Sequence, residues 1–347
     1  MTKPLVTFLL LTLVQGCGGD SEAGASAGGG GSGAQASGGN GGGGTGGSGA
    51  GVSFSTQIGP IDVAPGYENT QCVVRRLGNP SAFRVGRIDN AISSASHHLI
   101  VYRSSDTEER LEPFDCAPFT ETLDPSKGSP IMVTQKHDDF LQLPQGVGYT
   151  FEANQMIRLE LHYINTKLAP ETVTATTKFT AVPESEYEHE ADFLFIGDID
   201  ISIPVGATVT VGPTYFPLPA EFAAVNFFAL TGHTHQFGTN VSIATTPSAS
   251  GPDTPVYDVP GWQWSEPATV QHDPAFQLPS GGGFRFRCDY KNTGTKAVGF
   301  GESANAEMCF FWAYYYPAKG PRVCFQTDQT GPSLTACCPG SPLCSFL

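Results

Sequence analysis

The chain has 347 residues, of which 33 are acidic and 18 basic, and its net charge is -15 at pH 7. An acidic chain without a run of Lys or Arg repels phosphate backbones, so nucleic acid is excluded as a partner. The composition changes near Val52, and the roughly 295 residues that follow are more than one hydrophobic core usually spans. We therefore expect two folded domains after an N-terminal segment that does not fold.

Residues 1–16 have the layout of a signal peptide. Lys3 provides a short basic region, and the apolar run 5–14 is too short to span a bilayer. Residues 14–17, VQGC, resemble the lipobox of bacterial lipoproteins. The resemblance implies cleavage before Cys17 and lipid on its sulfur, in the bacterial cell envelope. The outer membrane is favoured because Gly18 is not the Asp of inner-membrane retention; an ordinary signal peptide cut elsewhere is the alternative.

A Gly-rich segment follows the lipobox. Gly occupies 18 of the 34 positions in residues 18–51, and nearly all the others are small or polar. This composition cannot bury enough apolar surface to offset the entropy of ordering. We expect residues 17–51 to be the lipidated Cys17 and a disordered tether with an r.m.s. span of roughly 30 Å. The membrane is then a partner only through the lipid anchor.

Strand patterns dominate after the tether. Residues 98–102, 156–163, 173–179 and 284–288 are rich in β-branched or aromatic residues and often alternate, with Gly, Pro, Asn and Asp clusters between such runs. No apolar stripe of period 3.6 extends beyond about two turns. We predict an all-β protein of two tandem antiparallel jelly-roll or β-sandwich domains. They are expected at residues 52–184 and 185–347, divided where acids and Pro interrupt the strand pattern.

The cysteines indicate crosslinks. Eight remain when Cys17 is set aside, and an even number in an exported chain favours disulfides. They are Cys72, Cys116, Cys288, Cys309, Cys324, Cys337, Cys338 and Cys344. Zinc binding is the alternative, but no CxxC pair is present and two adjacent cysteines fit crosslinks better than a tetrahedral site. Spacing alone leaves the pairing open.

Five of the eight histidines lie in strand-like segments. His233 and His235 are two residues apart, so on a strand both project from one face and can bind one metal ion. Two hydrogen-bonded histidines on a polar face are the alternative. His97 and His98 are adjacent and can share a metal only at a bulge or at a strand start, which the preceding Ser-rich run allows. His162, taken alone, is more often a core histidine than a ligand.

A methionine indicates which metal such a site would hold. Met308 lies in the same predicted domain as the His233 and His235 pair. A thioether is a soft, weak ligand that favours copper, above all Cu(I), whereas core filling is the alternative role. The remaining three histidines stand in acidic, loop-like surroundings and are expected at the surface: His137, His189 and His272.

Together, these motifs resemble the copper type II, ascorbate-dependent monooxygenases, the family that contains peptidylglycine α-hydroxylating monooxygenase and dopamine β-monooxygenase. The motifs that carry the resemblance are, in order, His97-His98 before a strand, Leu161-His162-Tyr163, His233-Thr234-His235 with Gly238, and Glu307-Met308-Cys309 running to Tyr315-Tyr316-Pro317. The resemblance covers residues 52–347. It implies two eight-stranded antiparallel jelly rolls side by side, with one copper on each and a solvent cleft between them.

The resemblance also implies ligands and cofactors. The electron-transfer copper would be held by His97, His98 and His162. The oxygen-binding, catalytic copper would be held by His233, His235 and Met308. The cofactors implied are two copper ions per chain, O2, and ascorbate or an equivalent reductant.

The family further implies two disulfides and a substrate class. The disulfides are Cys72–Cys116 and Cys288–Cys309. Peptide-amidating members have an Arg two residues before the HxH motif, and a polar Asn and Tyr after the Met-Cys pair. The corresponding candidate substrate contacts here are Thr231, Phe310 and Trp312. With no cation for a carboxylate, a small hydrophobic or aromatic substrate fits better than a glycine-extended peptide.

Two other functions agree with the same residues. One is a copper-binding or copper-buffering envelope lipoprotein without turnover. The other is an anchored glycan-binding jelly-roll module in which the histidines are structural. A zinc hydrolase is less favoured, because no Glu adjoins the HxH pair in sequence as a general base.

Overall fold

Strands make up most of the computed structural model, which describes residues 51–116, 128–301, 303–328 and 334–338. The signal peptide, Cys17, nearly all of the tether and Cys344 lie outside the described residues, so expectations about them stay predictions. Contacts group Gly49–Leu347 into one unit. Within the described ranges, no helix has the length and apolar character needed to cross a membrane.

We call residues 51–190 the N-terminal half. Its strands are β1 (Ser53–Val63), β2 (Glu68–Arg76), β3 (Phe83–Ile92), β4 (Ser96–Ser104), β5 (Arg110–Asp115), β6 (Gly128–Thr134), β7 (Asp138–Gln142), β8 (Val147–Phe151), β9 (Met156–Ile164), β10 (Glu171–Val182) and β11 (His189–Glu190). One sheet has the order β1-β10-β3-β8-β11, with β7 also paired to β3. The other has the order β5-β2-β9-β4-β6 and carries three of the predicted ligands.

Residues 192–338 form the C-terminal half. Its strands are β12 (Asp192–Asp198), β13 (Ser202–Ile203), β14 (Thr208–Pro217), β15 (Asn226–His233), β16 (Gly238–Thr246), β17 (Thr254–Asp258), β18 (Thr269–Phe276), β19 (Gly283–Lys291), β20 (Val298–Gly299), β21 (Cys309–Tyr316), β22 (Arg322–Thr327) and β23 (Leu334–Cys338). Its sheets have the orders β18-β15-β21-β12-β22-β23, β14-β19-β16-β17 and β13-β20.

The prediction of an all-β protein is confirmed. The four strand-like segments named from sequence lie in β4, β9, β10 and β19, and the helices among the described residues are the 3-10 turns Glu184–Glu186 and Ala220–Phe222. Nearly all pairs are antiparallel, as alternating apolar and polar residues favour. Sheet membership passes from one half to the other between β11 and β12. The tandem-domain division at residue 184 stays a prediction.

Strand β21 is buried on both faces, which joins the two halves. Its residues Phe311, Ala313 and Tyr315 pack in the core of the C-terminal half. The alternate residues Phe310, Trp312 and Tyr314 pack in a core that continues into the N-terminal half. Because side chains alternate along a strand, this aromatic run supplies two cores at once. The second of these cores, which contains Phe310, Trp312 and Tyr314, therefore runs through both halves and fixes how their edges meet.

Disulfides crosslink both halves. The structure joins Cys72 to Cys116 and Cys288 to Cys309, the two pairs that the family resemblance implied. A further pair among the described residues joins Cys324 to Cys337. Cys309 is the residue after Met308, so the second crosslink holds the backbone beside that side chain.

Gly197 generates a test of this packing. It lies opposite Phe310 in the β12–β21 pair, and a Cβ there would come within 2.1 Å of the Phe310 ring. We expect Gly197→Ala to lower the free energy of unfolding by about 1–3 kcal/mol, because the ring must leave its stack on Phe195. Denaturant unfolding measures the change. Gly299→Ala, on an exposed strand where a Cβ meets only one carbonyl oxygen, is the control; equal effects of both changes would contradict the packing argument.

Candidate metal centre

A bulge places two adjacent histidines on the same side of β4. Ser96 pairs with Tyr163 and His98 with His162, and the register shifts between them, so His97 is the additional residue. The rings of His97 and His98 consequently lie 5.3 Å apart between centroids. Without the bulge, adjacent residues would point to opposite faces. The sequence prediction that this pair needs a bulge or strand start is confirmed.

His162 completes a group of three imidazoles. It lies directly across from His98 on β9, and their ring centroids are 4.9 Å apart. One ligand atom from each of His97, His98 and His162 lies within 4.8 Å of the others. The Nε2 of His162 donates to Glu68 Oε1 at 3.0 Å. That bond occupies Nε2 and leaves Nδ1, which has no partner among the described residues, as the ligand atom of this ring.

His233 ends β15, and His235 follows in a short turn. Their ring centroids are 5.0 Å apart. Nδ1 of His233 donates to Gln135 Oε1 at 2.6 Å, and Nδ1 of His235 donates to the Ala306 carbonyl at 3.1 Å. These two bonds leave Nε2 of each ring for a ligand.

Gly238 allows the turn after the HxH motif to close. Its amide donates to the His235 carbonyl at 3.0 Å. A Cβ at Gly238 would lie 1.9 Å from Thr234 Oγ1. The side chain between the two histidines therefore packs where only glycine leaves room.

The two groups of imidazoles form one cluster. The ring of His97 lies 6.1 Å from that of His233 and 5.8 Å from that of His235, close to the spacing within each group. All five histidines are at most 3% exposed. The expectation of a solvent cleft between the two groups is therefore wrong for this structure. The physical reason is the shared apolar interior, which brings the edges of the halves into contact and expels water.

Burial keeps four of the five imidazoles neutral. Desolvation lowers the pKa of His97, His98 and His233 well below the usual value for histidine. It lowers the pKa of His235 to about 4. Each ring also disfavours a proton on its neighbours, because like charges so close would repel. A metal ligand must be neutral imidazole, so the environment holds these side chains in the form that binds metal.

In the cluster, a buried ring nitrogen on each of three histidines has no hydrogen-bond partner among the described residues. They are His97 Nε2, His162 Nδ1 and His233 Nε2. A buried nitrogen acceptor without a partner costs about 1–3 kcal/mol, which a bound ion would offset. Imidazole suits copper in both of its common oxidation states. The donor set therefore fits the copper that the sequence resemblance implies.

Met308 lies beside the HxH turn. It is buried and immediately precedes β21, two residues before Phe310, the strand partner of His233. The neighbouring Glu307 accepts hydrogen bonds from the backbone amides of His235 at 2.8 Å and Phe237 at 2.7 Å. These bonds attach the Met308 segment to the HxH turn. That the thioether is a ligand stays a proposal.

Glu307 was missed by sequence reasoning. Burial raises its pKa to about 7, against the lowering effect of its backbone donors. Its position in a strongly apolar run, directly before Met308, is a signal that could have identified it. The structure thus places a glutamate at the HxH turn, although none adjoins the motif in sequence. Both oxygens accept from backbone amides, which gives it a role in holding the turn.

The candidate substrate residues are packed. Phe310 and Trp312 both stack on Phe195, with ring centroids 4.6 Å and 5.2 Å from it. The Thr231 hydroxyl bonds to that of Thr269 at 2.9 Å. Trp312 also contacts the His233 ring at 5.0 Å between centroids, so it borders the cluster. Contact of these residues with a substrate stays a prediction.

Other residues at the cluster had no sequence signal. Glu68 and Gln135 are ordinary polar residues in the sequence, and their roles appear only when the strands pair. The indole of Trp264, on the loop between β17 and β18, lies 5.3 Å from the His97 ring between centroids and is partly exposed. Trp264 therefore packs on the cluster with one part of its ring and reaches the protein surface with another.

The three histidines expected at the surface lie away from the cluster. His137 and His189 are exposed, as expected, and His272 is partly buried. His137 Nδ1 bonds to the Ile92 carbonyl at 2.7 Å. His189 stacks on Tyr316, and His272 packs edge-on against Phe276.

A known protein family matches the part of the chain that carries the HxH motif and Met308. Residues 213–333 match the sequence model described as copper type II ascorbate-dependent monooxygenase, C-terminal domain. The match supports this family. It contains His233, His235 and Met308, whereas the N-terminal half lies outside it. No curated protein matches the chain.

Solved structures with a similar arrangement are distant. The major capsid protein P2 from bacteriophage PM2 is 9% identical, over 78% of this chain and 100% of that chain, with a TM-score of 0.31. An archaeal virus structure titled for its triple jelly roll fold is 7% identical, over 78% of this chain and 60% of that chain, with a TM-score of 0.20. Peptide:N-glycanase F is 11% identical, over 76% and 94%, with a TM-score of 0.28. We draw no argument from likenesses of this size.

The buried imidazoles predict how the metal-free protein responds to acid. The pKa of His235 is about 4 in the folded chain and about 6.5 when unfolded. The unfolded state therefore takes up a proton first, and stability present above pH 6.5 is lost as the pH falls toward 4. His235 alone should contribute a loss of roughly 2 kcal/mol between pH 7.5 and pH 5.

Urea unfolding at the two pH values, with chelator present, measures this loss. His235→Gln removes the titrating group. Between pH 7.5 and pH 5, this variant should therefore lose roughly 2 kcal/mol less unfolding free energy than the wild type. An identical pH dependence in both proteins would show that the ring is not held neutral by burial.

Proposed function

We propose that this chain is a copper-dependent monooxygenase that hydroxylates a C–H bond of a small hydrophobic or aromatic molecule. The observation that carries the proposal is the cluster of five buried imidazoles, three with ring nitrogens that lack a partner among the described residues. The family match at residues 213–333 supports the oxidoreductase class. The overall reaction consumes O2 and two electrons from ascorbate or an equivalent reductant. One oxygen atom enters the product and the other leaves as water.

Two ligand groups are proposed. His97, His98 and His162 would hold one copper. His233, His235 and Met308 would hold the other. Bound copper supplies one-electron redox chemistry at each group and O2 activation at the second, where a thioether favours Cu(I).

The surrounding side chains orient the ligands and exclude water. Gln135 fixes the His233 ring from the N-terminal half, and the Ala306 carbonyl fixes the His235 ring from within the C-terminal half. Trp312 and Phe310 cover the cluster with apolar surface. Contact between His97 and the HxH pair gives a short separation between the two groups, so electrons need not cross a layer of water. A dry site also protects a reactive oxidant from quenching.

The residue two positions before the HxH motif is not a cation, which supports a neutral substrate. Thr231 occupies the position where peptide-amidating relatives have Arg, and its hydroxyl is bonded to Thr269. Phe310 and Trp312 supply apolar rings in place of polar groups. A small hydrophobic or aromatic molecule therefore agrees better with these residues than a peptide with a free carboxylate.

The proposal predicts the effect of changing Met308. We expect Met308→Leu to preserve folding, because leucine conserves volume in a buried site, and to remove the copper–sulfur shell from X-ray absorption of the reduced protein. Substrate-dependent, ascorbate-driven O2 uptake should fall by roughly 100-fold. Copper at the His97, His98 and His162 group should remain, so about one copper per chain is retained.

Met132→Leu is the matched control, since Met132 is also buried in the apolar interior but is not a proposed ligand. It should keep two coppers and the sulfur shell. A sulfur shell that persists in Met308→Leu, or one that the wild type never shows, would contradict the ligand assignment.

A copper-binding protein without turnover is the second candidate. The nearly complete burial of the five rings favours it, because no imidazole presents an open face to solvent. The same measurements separate the two functions. Tight binding of two coppers without substrate-dependent O2 uptake would favour copper buffering. Absence of copper after reconstitution would favour a glycan-binding module in which the histidines are structural.

We further propose that Cys17 carries the lipid that anchors the protein in the bacterial cell envelope. In a bacterial host, Cys17→Ala should release the protein from the membrane fraction and abolish labelling with a fatty acid, since the sulfur is the acceptor. Immunoblots of fractionated cells measure both effects. Unchanged membrane association of the variant would contradict a lipid at this residue.

A further inference from the structure

Glu68 lies where the two halves meet beside the histidine cluster. It begins β2, and its carboxylate receives hydrogen bonds from both halves. In the N-terminal half, His162 Nε2 lies 3.0 Å from Oε1. In the C-terminal half, the backbone amide of Ala304 donates to Oε1 at 2.9 Å, and the Asn305 amide donates to Oε2 at 3.2 Å. The hydroxyl of Ser303 is 3.4 Å from both oxygens.

The contact with His162 orients a proposed metal ligand. The Nε2 hydrogen points to a carboxylate, so Nδ1 is left for a metal ion. A carboxylate that accepts from a ligating imidazole fixes its tautomer and raises its basicity, and removing such a partner typically weakens metal binding by about 10–100-fold. Glu68 is mostly buried, with 19% of its side chain exposed, so water replaces it poorly.

The contacts with residues 303–305 reach the other group. These residues lead directly into Ala306, whose carbonyl accepts from the His235 ring. Glu307 comes next and holds the HxH turn through the amide of His235, and Met308 follows. The backbone amide of Ala306 donates a hydrogen bond to the Ser303 carbonyl at 2.8 Å, which closes the turn. A shift of residues 303–305 would therefore move groups that orient His235 and Met308.

Among the described residues, the other side chains that bond across the halves do not contact both ligand groups. The side chain of Gln271 accepts from the Gln142 amide at 3.0 Å and donates to the Phe140 carbonyl at 3.3 Å, far from any proposed ligand in sequence and sheet position. Gln135 bonds the ring of one group only. Glu68 contacts a ligand of the first group and the turn that carries ligands of the second.

We propose that Glu68 is a positioning residue shared by both ligand groups, and that it couples metal binding at the first group to the order of the 303–308 turn. The inference rests on the proposed function, because it assigns His162 as a metal ligand. With a metal bound to its ring, His162 would be a stronger donor at Nε2, so its bond to Glu68 would tighten and the turn bound to the same carboxylate would be stabilised. By reciprocity, an ordered turn favours metal binding at the first group.

Two readouts test the coupling, neither of which is activity. Cu(I) affinity of the first group is measured by competition with a chelator under anaerobic conditions. Backbone hydrogen exchange across residues 303–308 is measured with and without Cu(I). In the wild type, Cu(I) should slow exchange in this turn. In Glu68→Ala, first-group affinity should fall about 10–100-fold, turn exchange without metal should rise roughly 10-fold, and Cu(I) should no longer slow it.

Glu68→Gln separates charge from geometry. Its amide oxygen can still accept from His162 and Ala304, but its NH2 group cannot accept from Asn305 as Oε2 does. Turn exchange should therefore rise less than in Glu68→Ala, while affinity falls. This variant also carries the test if Glu68→Ala does not fold. Gln271→Ala is the control for a lost contact between the halves, because it removes two bonds without touching a histidine; wild-type Cu(I) affinity is expected.

Distinct outcomes separate the two levels of inference. Wild-type protein that binds no copper would overturn the proposed function and, with it, this role of Glu68. Wild-type protein that binds copper, with folded Glu68 variants of equal affinity and equal turn exchange, would overturn the role of Glu68 alone. Equal losses in Gln271→Ala and Glu68→Ala would show that Glu68 acts only as a contact between the halves.

Discussion

The desolvation of five neighbouring imidazoles is the constraint on which this structure depends. Removing these rings from water disfavours the protonation of His97, His98, His233 and His235 and leaves several ring nitrogens without a partner in the described part of the chain. Both effects cost free energy in the metal-free protein. The surrounding structure offsets that cost with a continuous apolar interior and three crosslinks among the described residues. A metal ion bound by these nitrogens, as proposed, would offset the remaining cost.

The aromatic residues of β21 determine how the two halves pack around the imidazoles. Phe310, Trp312 and Tyr314 face the N-terminal half, and the Tyr314 hydroxyl accepts from the amide of Val133 there at 3.0 Å. The same strand contributes its other face to the C-terminal core. The packing of one strand thus decides how far apart the two ligand groups lie. It also explains why Phe310 and Trp312 are interior residues as well as neighbours of the cluster.

Local features of the site could be predicted from the sequence because they depend on strand periodicity. The HxH spacing and the need for a bulge at His97 follow from the alternation of side chains. The distance between the groups could not be predicted, since it is set by contacts between residues more than a hundred positions apart. Glu68 and Gln135 have no local pattern that distinguishes them from surface polar residues. Glu307 was predictable in principle, because an acid inside a buried run requires donors nearby.

The bulge in β4 has a consequence for how such a protein changes over evolution. One additional backbone residue determines whether two neighbouring rings converge or diverge, while the composition of the strand stays the same. Deleting Ser96 would restore regular pairing and turn one ring outward, leaving a sheet of almost unchanged hydrophobicity. Loss of the proposed metal site could therefore occur in a single genetic step without loss of the scaffold. Among related chains, alignment length through this segment should report such a site better than the number of histidines does.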